Sequence, residues 1–151
     1  MLKTKVPPPA YMLIMASLMW LLDKYVPLYH WLSSPWNGMG LIIMGVAMLL
    51  DLWSLYLFFR AKTTVHPMKP GNTSYLVTVG LYKISRNPMY LGLLVILIGW
   101  AVYLGSTSPL LLPPLFVWIL NKHQIETEEI ILTEKFGQEY RDYQRRVRRW
   151  I

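Results

Sequence analysis

The stretch LYKISRNPMYLG, residues 81–92, sits directly before a long apolar run, and its reading decides how the chain is built. Pro88 suits the first turn of a helix, where its missing N–H is not needed. Asn87 then falls at the N-cap, where its side chain can satisfy a first-turn N–H. Tyr82, Lys83, Arg86 and Tyr90 crowd the same helix mouth. A plain membrane anchor needs one or two interfacial residues, so this convergence points to a ligand. A helix N-terminus attracts anions through its free N–H groups and its dipole. An Arg fork holds a carboxylate, and tyrosine faces suit an organic cation. A small zwitterion with a carboxylate, an aromatic base and a sulfonium fits that set.

Outward from this stretch lie four apolar runs, at about residues 9–28, 38–59, 88–105 and 108–122. A bilayer core of about 30 Å needs roughly 20 apolar residues in a helix. The runs therefore predict an all-α integral membrane domain of about four transmembrane helices, with residues 1–151 as one unit. The first run is short as strictly apolar sequence and is interrupted by Asp23 and Lys24. The third and fourth are joined only by GSTS at 105–108, which predicts a tight helical hairpin. Pro113 and Pro114 predict a kink near the start of the fourth, because Pro lacks the N–H and clashes one turn back. Residues 60–87 read as a loop, with a short extended piece at 75–79. Residues 123–148 read as a C-terminal amphipathic helix at the membrane interface.

Composition agrees. Hydrophobic residues are 54% and charged residues 15%, against about 25% charged in ordinary soluble domains. Seven Trp and ten Tyr suit membrane interfaces. With no Cys, disulfides and thiolate chemistry are excluded. The net charge of +7 predicts an anionic membrane surface as partner. No zinc-finger spacing or stacking platform supports nucleic acid. Lys and Arg gather in the N-terminal tail, the 60–87 loop and the C-terminal tail, which predicts that both termini and that loop are cytoplasmic. NTS at 72–74 matches a glycosylation acceptor but falls on the cytoplasmic side. Lys3 and Lys5 resemble the start of a signal peptide. The prolines at 7–9 and the lack of an A-x-A-like site argue against cleavage.

Four further polar features need reasons. Asp51 lies deep in the second run, where a carboxylate costs at least ~2.5–3.5 kcal/mol; it reads as a site residue or as a hydrogen-bonded tether to a neighbouring helix. In the tail, Ile125, Leu132, Phe136, Tyr140 and Tyr143 recur at helical spacing, and Glu129 stands on that apolar stripe. Glu126 lies four after Lys122, as in an ordinary surface ion pair. Arg145, Arg146, Arg148 and Arg149 read as contacts to lipid headgroups, worth about 1 kcal/mol per charge. His30, His66 and His123 lie far apart, and no spacing supports a metal site.

At VTVGLYKISRNPMYLG and at EEIILTEKFGQEYRDYQRRV the chain resembles the membrane methyltransferase family that joins isoprenylcysteine carboxyl methyltransferases with phospholipid methyltransferases. The likeness covers about residues 60–150 and rests on the G-x-Y…R-H-P-x-Y-x-G and E-E…F-G-x-x-Y motifs. It implies S-adenosylmethionine as methyl donor, S-adenosylhomocysteine as product, and a lipid-like acceptor entering from the bilayer. It assigns Tyr82, Arg86, Asn87, Pro88, Tyr90, Gly92, Glu128 and Glu129 to the cofactor site. Phe136, Gly137, Tyr140 and Tyr143 match the tail. Asn87 stands where many members have His, and an amide cannot carry a proton near neutral pH. Asn121, Lys122, His123 and Gln124 replace an Arg-richer stretch of the eukaryotic carboxyl methyltransferases. Glu129 is the candidate base for an amine or hydroxyl acceptor, with Lys122 or Arg145 orienting an anionic one. A bacterial inner membrane is the expected location. The rival reading is a non-catalytic membrane scaffold or lipid-binding subunit.

Overall fold

The computed structural model describes residues 6–60 and 76–151. Six α-helices run in the order α1 (Pro8–Tyr25), α2 (Met39–Arg60), α3 (Pro88–Leu104), α4 (Leu112–Leu120), α5 (Glu126–Phe136) and α6 (Gln138–Arg146). Two isolated β-bridges, and no strand, occur among the described residues. Most of the 60–87 loop, the NTS acceptor, His66, Lys3 and Lys5 lie outside them.

Helices α2 and α3 form an antiparallel pair along a seam of small residues. Gly40, Met44, Ala47, Asp51 and Ser54 recur at spacings of four and three, which keeps them on one face of α2. Near one end of the seam, a Cβ on Gly40 would overlap Gly99 O. Further along, a Cβ on Gly92 would overlap the Asp51 carboxyl. Small residues let backbones approach this closely where hydrocarbon solvent supplies no hydrophobic drive. A methyl placed on Gly99 would lie 2.8 Å from Gly40 O and from Met44 Cγ. Gly99→Ala is therefore expected to destabilise the protein by about 1–3 kcal/mol through overpacking. Thermal unfolding in detergent checks this, and an unchanged midpoint would refute the close approach.

The main core joins α1, α3 and α4. Met15, Met19, Leu97, Ala101, Leu112, Phe116 and Leu120 are buried together. Trp100 Nε1 ties α3 to α1 by donating to Ala16 O at 3.0 Å. Gly105, with φ +77°, ends α3. Its carbonyl accepts from Trp31 and Leu32 N–H, so the expected hairpin at 105–108 is braced by the loop between α1 and α2.

Three expectations are corrected. First, Pro113 and Pro114 do not kink a span. They sit in the first turn of α4, after a 3-10 turn at Ser108–Leu111, where Pro is tolerated. From Ser108 the chain continues through α4, a π-helical turn (Asn121–Ile125) and α5 without a break. Second, the tail is not one helix. Gly137, at φ +53° and ψ −119°, separates α5 from α6. The stripe survives the break: Leu132, Phe136, Tyr140, Tyr143 and Val147 pack with Leu76 in a second cluster. Third, the expected spans are unequal. Trp36–Leu57, with mean hydropathy 1.9, is long and apolar enough to cross a membrane alone. Its outer face is apolar and exposed, as at Ile42, Leu49 and Trp53. The other three runs expected to span contain α-helices of 18, 17 and 9 residues, and among the described residues only Trp36–Leu57 is long and apolar enough by itself, so the count of four spans is not shown.

Candidate functional site

The site forms where the start of α3 meets the junction of α4 and α5. Pro88 opens α3 as expected and Asn87 holds the N-cap position, but the Asn87 side chain does not cap the helix. It donates from Nδ2 to Arg149 O at 3.0 Å instead. The chain end runs alongside: Arg86 N–H donates to Arg148 O at 3.0 Å, and Ser85 Oγ to Arg149 O at 3.4 Å. Trp150 Nε1 reaches Asn121 Oδ1 at 3.1 Å. Residues 148–150 thus lace the α3 mouth to the π turn.

The two adjacent glutamates split their roles. Successive helical residues point about 100° apart, so Glu128 and Glu129 cannot face one target. Glu129 turns to two guanidiniums. Arg86 Nη2 lies 2.9 Å from its Oε1, and Arg149 Nη2 lies 2.6 Å from its Oε2. The Arg86 and Glu129 side chains are only 11% and 13% exposed, so that pair is largely desolvated, while Arg149 is 33% exposed. Glu129 therefore does not have the apolar surroundings its stripe position suggested. Arg86 Nε is also buried and has no hydrogen-bond partner, leaving one spare donor.

Glu128 turns the other way, toward the core. Tyr90 donates its hydroxyl to Glu128 Oε1 at 2.7 Å. Gln124 Nε2 donates to the same Oε1 and to Tyr90 Oη at 3.3 Å. Burial pushes the Glu128 carboxyl up to about 7. The two donated bonds pull it down and the nearby Glu129 pushes it further up, but desolvation dominates. The π turn at 121–125 helps to set this register, as π-bulges often do at functional sites.

Tyr82 is buried, and its carbonyl accepts from Tyr143 Oη at 2.6 Å. Burial raises both phenols, Tyr143 to about 12 and Tyr82 further, so both stay protonated. Gly92 lies one turn inside α3 with Asp51 pressed on it. Arg145 is 75% exposed and pairs with Asp142 at 3.5 Å, outside this constellation. Lys122 pairs with Glu126 at 3.1 Å as an exposed i,i+4 pair. Arg149, read from the sequence as a headgroup contact, pairs with Glu129, and Gln124 joins the Tyr90–Glu128 network. Gln124 precedes Glu128 by one helical turn, a local signal that could have found it. Nothing local links Arg149 to Glu129, twenty residues away. An open groove of about 680 Å³ borders Glu129 and is lined by Glu126, Thr133, Glu134, Arg141 and Gln144 among others.

The described fold is all-helical, with an ion triad at the mouth of α3 and the Tyr90–Glu128–Gln124 network beside it. Comparison with known proteins narrows this: the chain belongs to the phospholipid methyltransferase family, whose model matches residues 36–139. It is similar to a methanethiol S-methyltransferase of Pseudomonas deceptionensis, 33% identical over 74% of this chain and 41% of that protein. It is also similar to the protein-S-isoprenylcysteine O-methyltransferase of Rattus norvegicus, 33% identical over 78% of this chain and 40% of that protein. A protein of Haemophilus influenzae is 46% identical over 42% of this chain and the whole of its own length. The chain spans less than half the length of the two methyltransferases compared.

Proposed function

We propose that the protein is an S-adenosylmethionine-dependent methyltransferase of a lipid-like acceptor, acting by direct methyl transfer. The observation that carries the reading is the Arg86–Glu129–Arg149 triad, built on a largely buried Arg86–Glu129 pair, with its spare Arg86 Nε donor. The residues fit such a donor. Two guanidiniums against one carboxylate leave net positive charge for an amino-acid carboxylate. The groove beside them falls within the ~300–1,000 Å³ typical of ligand sites. Arg86, Glu129 and Arg149 would hold the cofactor, with Asn87 and Ser85 fixing the Arg149 backbone.

When bound, the cofactor supplies an electrophilic methyl on a sulfonium. Such a transfer chiefly needs alignment in a dry site. A carboxylate acceptor needs no base. An amine or hydroxyl acceptor does, and Glu128 suits that role better than Glu129. Both oxygens of Glu129 are engaged by guanidiniums, whereas Glu128 can hold or release a proton near neutral pH. The bundle sits in a bacterial inner membrane with its basic end, bearing Arg60, Arg86 and the C-terminal tail, on the cytoplasmic side.

The test is calorimetric binding of S-adenosylmethionine to the protein in lipid nanodiscs, followed by labelled-methyl transfer to amine, carboxylate and thiol acceptors. Saturable binding with transfer to one acceptor is expected. Folded protein that binds no donor would overturn the reading in favour of a non-catalytic scaffold. Glu129→Gln is expected to weaken donor binding at least tenfold while leaving turnover at saturating donor within threefold. The reverse pattern would return the proton-handling role to Glu129.

A further inference from the structure

Arg149 closes a fork on Glu129, with Nε 3.2 Å from Oε1 and Nη2 2.6 Å from Oε2. Paired, charge-assisted bonds of this kind depend on the angle at which the guanidinium arrives. Yet Arg149 belongs to no helix. Helix α6 ends at Arg146, Val147 follows in extended backbone at φ −125° and ψ 131°, and Arg148 forms an isolated parallel bridge to Ser85. A long side chain on irregular backbone loses much conformational freedom when it is fixed, so its placement needs anchors on both sides.

The anchors are Val147 and Trp150, and they lie in different cores. Val147 is buried with Leu76, Tyr140 and Tyr143 in the tail's cluster. Trp150 packs against the main core of α1, α3 and α4. Its Nε1 donates to Asn121 Oδ1 at 3.1 Å, on the first residue of the π turn. Three residues span at most roughly 11 Å, so a strap pinned in both cores leaves Arg149 little room to shift. Between the pins, Arg148 O accepts from the Arg86 N–H, and Arg149 O accepts from Asn87 Nδ2 and Ser85 Oγ. Those three donors all lie on the 85–87 segment, about which a strap held by them alone could pivot. The bond to Asn121 ties the strap to a second element and stops that rotation.

We infer that Trp150, latched to Asn121, is a positioning residue: it sets the Arg149 fork on Glu129 and, through it, the affinity of the site for the methyl donor. The inference rests on the methyltransferase reading and extends it to the contact that places one of the donor-holding side chains. Trp150 acts through Arg149, so breaking its bond should weaken each site and leave the number of sites unchanged.

The experiment compares wild type with three variants of the full chain in lipid nanodiscs. Trp150→Phe keeps a ring against the core and loses the N–H. Asn121→Ala removes the acceptor from the other end of the same bond. Asn121→Asp keeps an oxygen in its place. Calorimetry with S-adenosylmethionine gives the affinity and the number of sites per chain, and hydrogen exchange of the Arg86 amide without donor reports how firmly the strap is held. Trp150→Phe and Asn121→Ala are each expected to bind donor about fivefold more weakly, the change that one hydrogen bond carries, with the same number of sites. Their Arg86 amide is expected to exchange about fivefold faster. Asn121→Asp should stay within twofold of wild type on both readouts. Either bond-breaking variant decides if the other fails to fold. Unchanged affinity in a folded variant, or fewer sites of wild-type affinity, would overturn the assignment, leaving Trp150 as core packing and the methyltransferase reading intact. An equal loss in Asn121→Asp would overturn it too, by moving the effect to the π turn itself. Wild type that binds no donor removes the methyltransferase reading and the positioning role together.

Discussion

Arg86→Ala is expected to abolish saturable binding of S-adenosylmethionine, measured by calorimetry in nanodiscs. Two effects add. The spare Nε donor disappears, and Glu129 keeps only Arg149, whose side chain is 33% exposed against 11% for Arg86. Stranding a buried charge altogether costs about 3–5 kcal/mol. Because Arg149 remains, the cost to stability should be nearer ~1–3 kcal/mol, leaving a folded protein on which binding can be read. Arg86→Lys separates charge from shape. It keeps the positive charge but loses the planar fork, so about tenfold weaker binding is expected. Full binding by folded Arg86→Ala would show that the triad is only a structural clamp between α3 and α5.

The features that could be foreseen from the chain are the local ones. Apolar runs, the Pro88 helix start and the GSTS hairpin depend on neighbours within a few residues, and each has its counterpart in the fold. The break at Gly137 was hidden because a single Gly inside a helical pattern is tolerated. Only its φ of +53° marks it as a corner. Asn87 occupies the N-cap position its sequence context predicts, but its side chain serves another contact. Its amide is taken by Arg149 O, a partner 62 residues away that no local pattern announces. Arg149 was hidden among four arginines of equal local character. What separates it is that residues 148–150 pair with the 85–87 segment and swing one side chain onto Glu129. The opposite tasks of Glu128 and Glu129 follow from helical geometry once α5 is docked. Before docking, two adjacent carboxylates look equivalent.

The burial that distinguishes Glu128 gives it a pH signature. Its carboxyl is raised from the ordinary value of 4.5 to about 7, so the folded state holds the proton that the unfolded chain has already lost. The favourable contribution is fully present below about 4.5 and is lost as pH rises through about 7, after which it stays constant. A shift of that size corresponds to on the order of 3 kcal/mol. Wild-type thermal stability is thus expected to fall between pH 5 and pH 8 relative to Glu128→Gln. The Gln side chain keeps an oxygen for the Tyr90 hydroxyl and has no proton to lose. The same substitution should remove the rise in methyl transfer to an amine acceptor as pH passes through about 7, because that rise reports the carboxyl becoming able to accept a proton. The two readouts separate structure from chemistry. A flattened stability curve with an intact activity limb would leave Glu128 as a buried strut for Tyr90 and Gln124. Loss of both would make it the site's proton carrier, with desolvation by the α3–α5 junction as the force that tunes it.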